Sequence, residues 1–117
     1  MLNLSSNTKV YLACGATDLR CGIDTLAAIV QEQFQLDPFS SNMFVFCNRA
    51  QEKIKCLIWD VNGFWLLHKR LEKGRFQWPQ TKEELVTVSY RQFRWLLDGL
   101  SIYENKAFHE LTYSTII

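Results

Sequence analysis

Hydrophobic and polar residues alternate along this chain with two different periods. KVYLAC (9–14) has the β-branched and aromatic content of a strand, and Gly15 ends it. Leu19, Ile23, Leu26, Val30 and Phe34 then recur every three or four residues, which is one apolar stripe on a helix. Thr17 or Asp18 can cap that helix, because a short side-chain oxygen accepts from free amides of the first turn. Gly22 would lie inside it at a cost of about 1 kcal/mol relative to alanine, for which close backbone packing is the usual reason. Pro38 disfavours helical geometry at Asp37, so the helix should end before LDPF (36–39).

Three strand patterns follow. MFVFCN (43–48) and KIKCLIWD (53–60) are joined by the polar loop RAQE, and Asn62-Gly63 is a hairpin signal leading into FWLLHKRLE (64–72). GRFQWP (74–79) reads as a turn and an extended edge, since Pro79 cannot donate to a ladder. LVTVS (85–89) is a short further strand. Ser89 with Gln92 forms a capping box for a helix over 90–98 that turns Phe93, Leu96 and Leu97 inward, and Gly99 stops it. The segment from Ser101 to Ile117 is mixed and reads either as a strand or as an arm. The expected architecture is α+β: a single domain over residues 1–117, with an antiparallel meander of about four strands, a helix before it and a helix after.

Two hairpin registers are compatible with this pattern. A two-residue turn at Asn62 and Gly63 pairs Val61 with Phe64, Trp59 with Leu66, Leu57 with His68, Lys55 with Arg70 and Lys53 with Glu72. Asp60 with Trp65, Ile58 with Leu67, Cys56 with Lys69 and Ile54 with Leu71 then share the other, largely apolar face, which is the better candidate for helix packing. A three-residue loop with Gly63 as a left-handed bulge instead pairs Trp59 with Trp65 and Lys55 with Lys69. Both set Lys55 opposite another base, a destabilising arrangement. Either Glu52 and Glu72 relieve it, the side chains splay into water, or an anion such as a phosphate backbone sits there.

The charge distribution sharpens that question. The net charge of the chain is only +1. Residues 1–48 balance at −2 and residues 76–117 at −1, whereas residues 49–75 carry +4, which points the middle of the chain toward an acidic partner. The candidate contacts are Arg49, Lys53, Lys55, Lys69, Arg70, Lys73 and Arg75. Phe76 and Trp78, beyond the strand and beside Lys73 and Arg75, are the aromatics expected at the surface; Trp59 and Trp65 are assigned to packing.

A hydrophobic content of 48% and an aromatic content of 14% suit a packed core and argue against disorder. The N-terminal MLNLSSNTKVYLACG holds no apolar run suited to a secretory signal or membrane span, which makes the cytoplasm the expected compartment. Cys14, Cys21, Cys47 and Cys56 are irregularly spaced with no CxxC pair, so reduced, largely buried thiols are expected rather than a zinc site. His68 and His109 lie in no HExxH pattern, no serine sits in GxSxG, and no phosphate loop is present. Asp18, Asp24, Asp37 and Asp60 are too scattered to suggest a two-metal centre. The sequence therefore points away from an enzyme and calls for no cofactor, metal, membrane or small-molecule substrate.

Long blocks of the chain, VYLACGATDLRCGIDTLAAIV, LDPFSSNMFVFCNRAQEKIKCLIWDVNGFWLLHKRLEKGRFQWP and FRWLLDGL, resemble the TnpB-type accessory proteins of a bacterial insertion-sequence family that uses a DDE transposase. This is not the RNA-guided nuclease that shares the TnpB name. The tail HELTYSTII resembles the ending of one branch. Positions matching the family pattern are Asp18, Arg20, Gly22 and Asp24 near the first helix, then Asn48, Arg49, Trp59, Asp60, Gly63, Phe64, Lys69, Arg70, Leu71, Glu72, Arg75, Trp78 and Pro79. The resemblance implies a role in transposition beside the transposase and supplies no catalytic residues. Members often carry a base where this chain has Cys21 and Cys47, and a basic run where it reads NRAQE, so this chain has less positive charge there. Two functions compete: binding of DNA (RNA is not separable from it) through the basic end of the hairpin, or docking on the transposase or another element-encoded protein, through Phe76, Trp78 and the tail.

Overall fold

The computed structural model describes residues 7–103. The expectation of a strand or arm after Ser101, and with it His109, lies largely outside the described residues. Five strands form one mixed sheet: β1 (Val10–Ala13), β2 (Met43–Cys47), β3 (Lys53–Asp60), β4 (Gly63–Arg70) and β5 (Leu85–Val88), in the spatial order β4-β3-β2-β1-β5. The expected meander is present as β2-β3-β4, each pair antiparallel. It is not the whole sheet. β1 inserts between β2 and β5, parallel to β2 and antiparallel to β5. The reason is the long connection after β1: parallel neighbours need a crossover, and the helical segment between residues 23 and 33 supplies it.

That segment departs from the expected single helix. α1 (Ile23–Ala28) is followed by a π-helical turn (Ile29–Gln33), which ends before Pro38 as expected. Its start lies later than the stripe suggested. Gly22 is the extended residue before the first turn, without a side-chain cap, and not a residue inside the helix. A Cβ added there would meet nothing within 4 Å, so close packing is not why it is glycine. Neither proposed cap acts as one: the Asp18 carboxylate takes the backbone and guanidinium of Arg20, and the Thr17 amide donates to the Cys47 carbonyl. The other helix, α2 (Tyr90–Leu97), follows the sequence closely, with the reciprocal Ser89–Gln92 capping box and Gly99 at a φ of +82° just past its end.

Helices cover both faces of the sheet, not only one. Leu26 and Val30 pack with Phe44, Phe46 and Leu57 on the first face. On the second, Phe93 and Leu96 of α2 pack with Met43, Val45, Ile54, Cys56 and Ile58. Phe76 and Trp78 belong to this second core at 1% and 4% exposure, so the expectation of exposed aromatics at these positions is overturned. The segment that carries them folds back because the Gln51 carbonyl accepts from the Phe76 amide and the Trp78 indole donates to the Ala13 carbonyl at 2.8 Å. Both bonds reach far along the chain, so a local pattern of bases and aromatics could not reveal them.

The β3–β4 hairpin adopts neither expected register. Asp60 pairs with Gly63, Trp59 with Phe64, Leu57 with Leu66, Lys55 with His68 and Lys53 with Arg70. The shift from the first expected register is two residues, so every side chain keeps its assigned face; a shift of one would have exchanged them. The turn consists of Val61 and Asn62, and Val61, 87% exposed, has a φ of +55°. A β-branched residue is poorly suited to that region. Aromatic packing favours the register nonetheless: Trp59 and Phe64 meet edge-on with centroids 5.0 Å apart, Phe39 packs on both, and the Trp65 indole donates to Asp60. Replacing Val61 with glycine is expected to raise stability by about 1 kcal/mol, because it removes the left-handed penalty at a site with little packing to lose. Thermal unfolding checks this, and an unchanged or lower midpoint would show that the turn does not hold Val61 there.

Candidate functional site

The loop Asn48–Glu52 bends tightly because one side chain satisfies its amides. Asn48 Oδ1 accepts from the backbone of both Glu52 and Lys53 at 3.0 Å, and Gln51 takes a φ of +59°. This leaves Arg49 and Ala50 exposed at the loop's crest. Across from it runs the turn over residues 16–21, held to the sheet by the Thr17 amide and by Lys55. The Lys55 ammonium donates to the carbonyls of Leu19 and, at 3.1 Å, of Cys21. Between loop and turn lies an open groove of about 640 Å³ lined by Ala16, Thr17, Asp18, Leu19, Arg20, Asn48, Arg49, Ala50, Lys53, Lys55 and His68.

Four bases and one acid line this groove, a formal balance of +3 with His68 neutral. They differ in how they are held. At the rim, Arg20 forms an ion pair with Asp18 at 2.7 Å, and that guanidinium holds the Asp18 carboxyl down at about 2. Both side chains are mostly in water, so the pair contributes little to stability. Lys55 is half-buried and occupied by the two carbonyls. Arg49 and Lys53 have no ion-pair partner among the described residues.

The sequence-derived bases separate into three places. Arg49, Lys53 and Lys55 line the groove. Arg70 adjoins it, sharing a second depression with Lys53, His68 and Glu72 and pairing with Glu72 at 3.0 Å. Lys69 lies on the opposite face, beside α2. Lys73 and Arg75 are exposed in the segment after β4 and line neither depression. The expectation that Lys55 opposes Arg70 or Lys69 is corrected: it opposes His68, and Lys53 is the residue across from Arg70. Glu72 relieves Arg70, while backbone carbonyls hold Lys55. Arg20 was not among the expected contacts, although its match to the family pattern was a visible signal.

The positions where the resemblance leads one to expect a base have different consequences. Cys47 is fully buried in β2, so a base missing there removes nothing from this surface. Burial also pushes the Cys47 and Cys56 thiols up to about 12, which makes them inert side chains. Ala50, by contrast, lines the groove, and a base absent there is absent from the site. No helix among the described residues is long and apolar enough to cross a membrane.

The family model described as IS66 Orf2 like protein matches residues 8–107. The chain is 40% identical over 100 residues to the uncharacterized protein y4hO of Sinorhizobium fredii, covering 86% of this chain and 87% of that protein. It is 31% identical over 100 residues to the uncharacterized protein y4jC of the same organism, covering 86% of each. No solved structure matches.

Proposed function

This chain belongs to the IS66 Orf2-like family of insertion-sequence accessory proteins, and we propose that it assists transposition by holding the phosphate backbone of DNA in the groove between the 16–21 turn and the Asn48–Glu52 loop. The observation that carries this reading is a pair of bases without ion-pair partners among the described residues, Arg49 and Lys53, in a groove whose other walls carry Arg20 and Lys55. Phosphates entering there meet two available cations, one each, and compete with Asp18 for the Arg20 fork, which is suited to bidentate phosphate contact. Binding of this kind releases counterions and weakens with salt.

The test is a salt titration with DNA from the ends of the element, with and without the transposase. Replacing Arg49 and Lys53 with glutamine is expected to reduce the slope of log K against log salt by about 1.8, since each phosphate neutralised accounts for roughly 0.9. Ala50→Arg is expected to restore about 0.9. Unchanged affinity and slope in the double variant would remove the groove from consideration. A second reading is docking on an element-encoded protein, favoured by the hairpin tip, where Phe39 is 53% and Val61 87% exposed beside Trp59 and Phe64. Co-purification of the element's proteins, with wild type and with Phe39→Ser, decides it: a complex that persists unchanged in the variant removes the tip.

A further inference from the structure

β4 is an edge strand of eight residues, paired among the described residues only with β3. Among the described residues its outward-facing backbone groups form an unmatched row of the kind that recruits another strand. Two large apolar side chains on its second face stand in water, Trp65 at 43% and Leu67 at 38% exposure. Beside them an apolar groove of about 240 Å³ runs between β4 and α2, lined by Leu67 and Lys69 on one side and by Tyr90, Phe93 and Leu97 on the other. The Trp65 indole is held in place by Asp60 at 2.9 Å.

We propose that the partner of this edge is a second copy of the chain, paired antiparallel through β4 about a two-fold axis at Leu66. The axis stands perpendicular to the sheet, so each face stays on its own side and residues pair only with residues of the same face. Leu66 on the axis sets Trp65 opposite Leu67 of the second copy, and Leu67 opposite its Trp65. Each exposed apolar side chain is thereby covered by the other. Each Trp65 also lies diagonal to Lys69 of the second copy, at the mouth of the apolar groove, within reach for a cation–π contact.

Charge selects this arrangement. His68, Lys69 and Arg70 crowd one end of β4, and Asp60 lies just before the other. Antiparallel pairing lays the basic end of each copy beside the turn and Asp60 of the other. Parallel in-register pairing would set base against base, which is destabilising. The same bases that blunt the edge against open-ended stacking are therefore compatible with a closed pair.

The dimer does not depend on the proposed function, but it bears on it. The two basic grooves would lie on one side of a continuous ten-stranded sheet. Their Lys53 positions would be roughly 30 Å apart, from strand rise and strand spacing, close to one turn of duplex DNA.

Sedimentation velocity from low micromolar to near-millimolar protein tests the pairing, since an interface this small forms a weak dimer. The expected result is reversible dimerisation, with amide exchange slowed at high concentration in β4 and not in β5. Leu67→Ser, which removes the apolar cover from Trp65 of the second copy, should weaken the dimer at least tenfold while dilute protein still unfolds cooperatively. A monomer at all concentrations overturns the proposal. So does a dimer that is unaffected by Leu67→Ser or that leaves β4 exchange unchanged. These outcomes are read without DNA, so they are separate from the fate of the groove.

Discussion

Trp78→Ala is expected to destabilise the domain by about 3–5 kcal/mol, a large part of the stability of a domain this size. Trp78 is 4% exposed within the second core, and its indole donates to the Ala13 carbonyl at 2.8 Å. That bond joins the segment after β4 to the end of β1, two parts of the chain 65 residues apart. Truncation removes the largest side chain of the segment, opens a cavity in the core that holds Phe76 and Phe93, and leaves a buried carbonyl without its donor. Trp78→Phe separates the two contributions: it keeps most of the ring and should lose about 1–3 kcal/mol, the penalty of the orphaned carbonyl. Denaturant unfolding measures both. A loss below about 1 kcal/mol for the alanine variant would return Trp78 to the surface and restore it as a candidate partner contact.

Lys55→Met should lower stability by about 1.5–3 kcal/mol, because hydrogen bonds from a charged donor are among the stronger ones. Methionine retains the apolar stem, so the loss reports on the ammonium. The carbonyls of Leu19 and Cys21 would lose that donor, and the turn that carries Asp18 and Arg20 would no longer be tied to β3. DNA affinity at fixed salt should then fall by more than one phosphate contact accounts for, since the wall of the groove moves with the turn. Lys53→Met is the control. Lys53 sits two residues away on the same face and its ammonium ties no turn to the sheet, so the variant should weaken binding with little change in stability. Equal stability effects from the two variants would mean that Lys55 does not organise the groove.

Much of this molecule follows from local pattern. The limits of β3, the capped helix at Ser89 and the stop at Gly99 come from period and capping chemistry, which act over a few neighbouring residues; alternation groups the residues of each hairpin strand into two faces but leaves open which faces of the two strands coincide. The concentration of positive charge in residues 49–75 is likewise a property of the chain alone, as is its likeness to an insertion-sequence accessory family. Other features depend on contacts between residues far apart in sequence. Packing of Trp59, Phe64 and Phe39 set the hairpin register against the preference of Asn62-Gly63 for the turn. The crossover placed β1 inside the sheet, and the reach of Trp78 to Ala13 buried two aromatics that stand among polar and basic residues. The groove itself is tertiary: the 16–21 turn meets the Asn48–Glu52 loop only because β1 and β2 lie side by side. A run of bases specifies charge, but which of them are available to a ligand depends on the carbonyls and carboxylates that folding brings beside them.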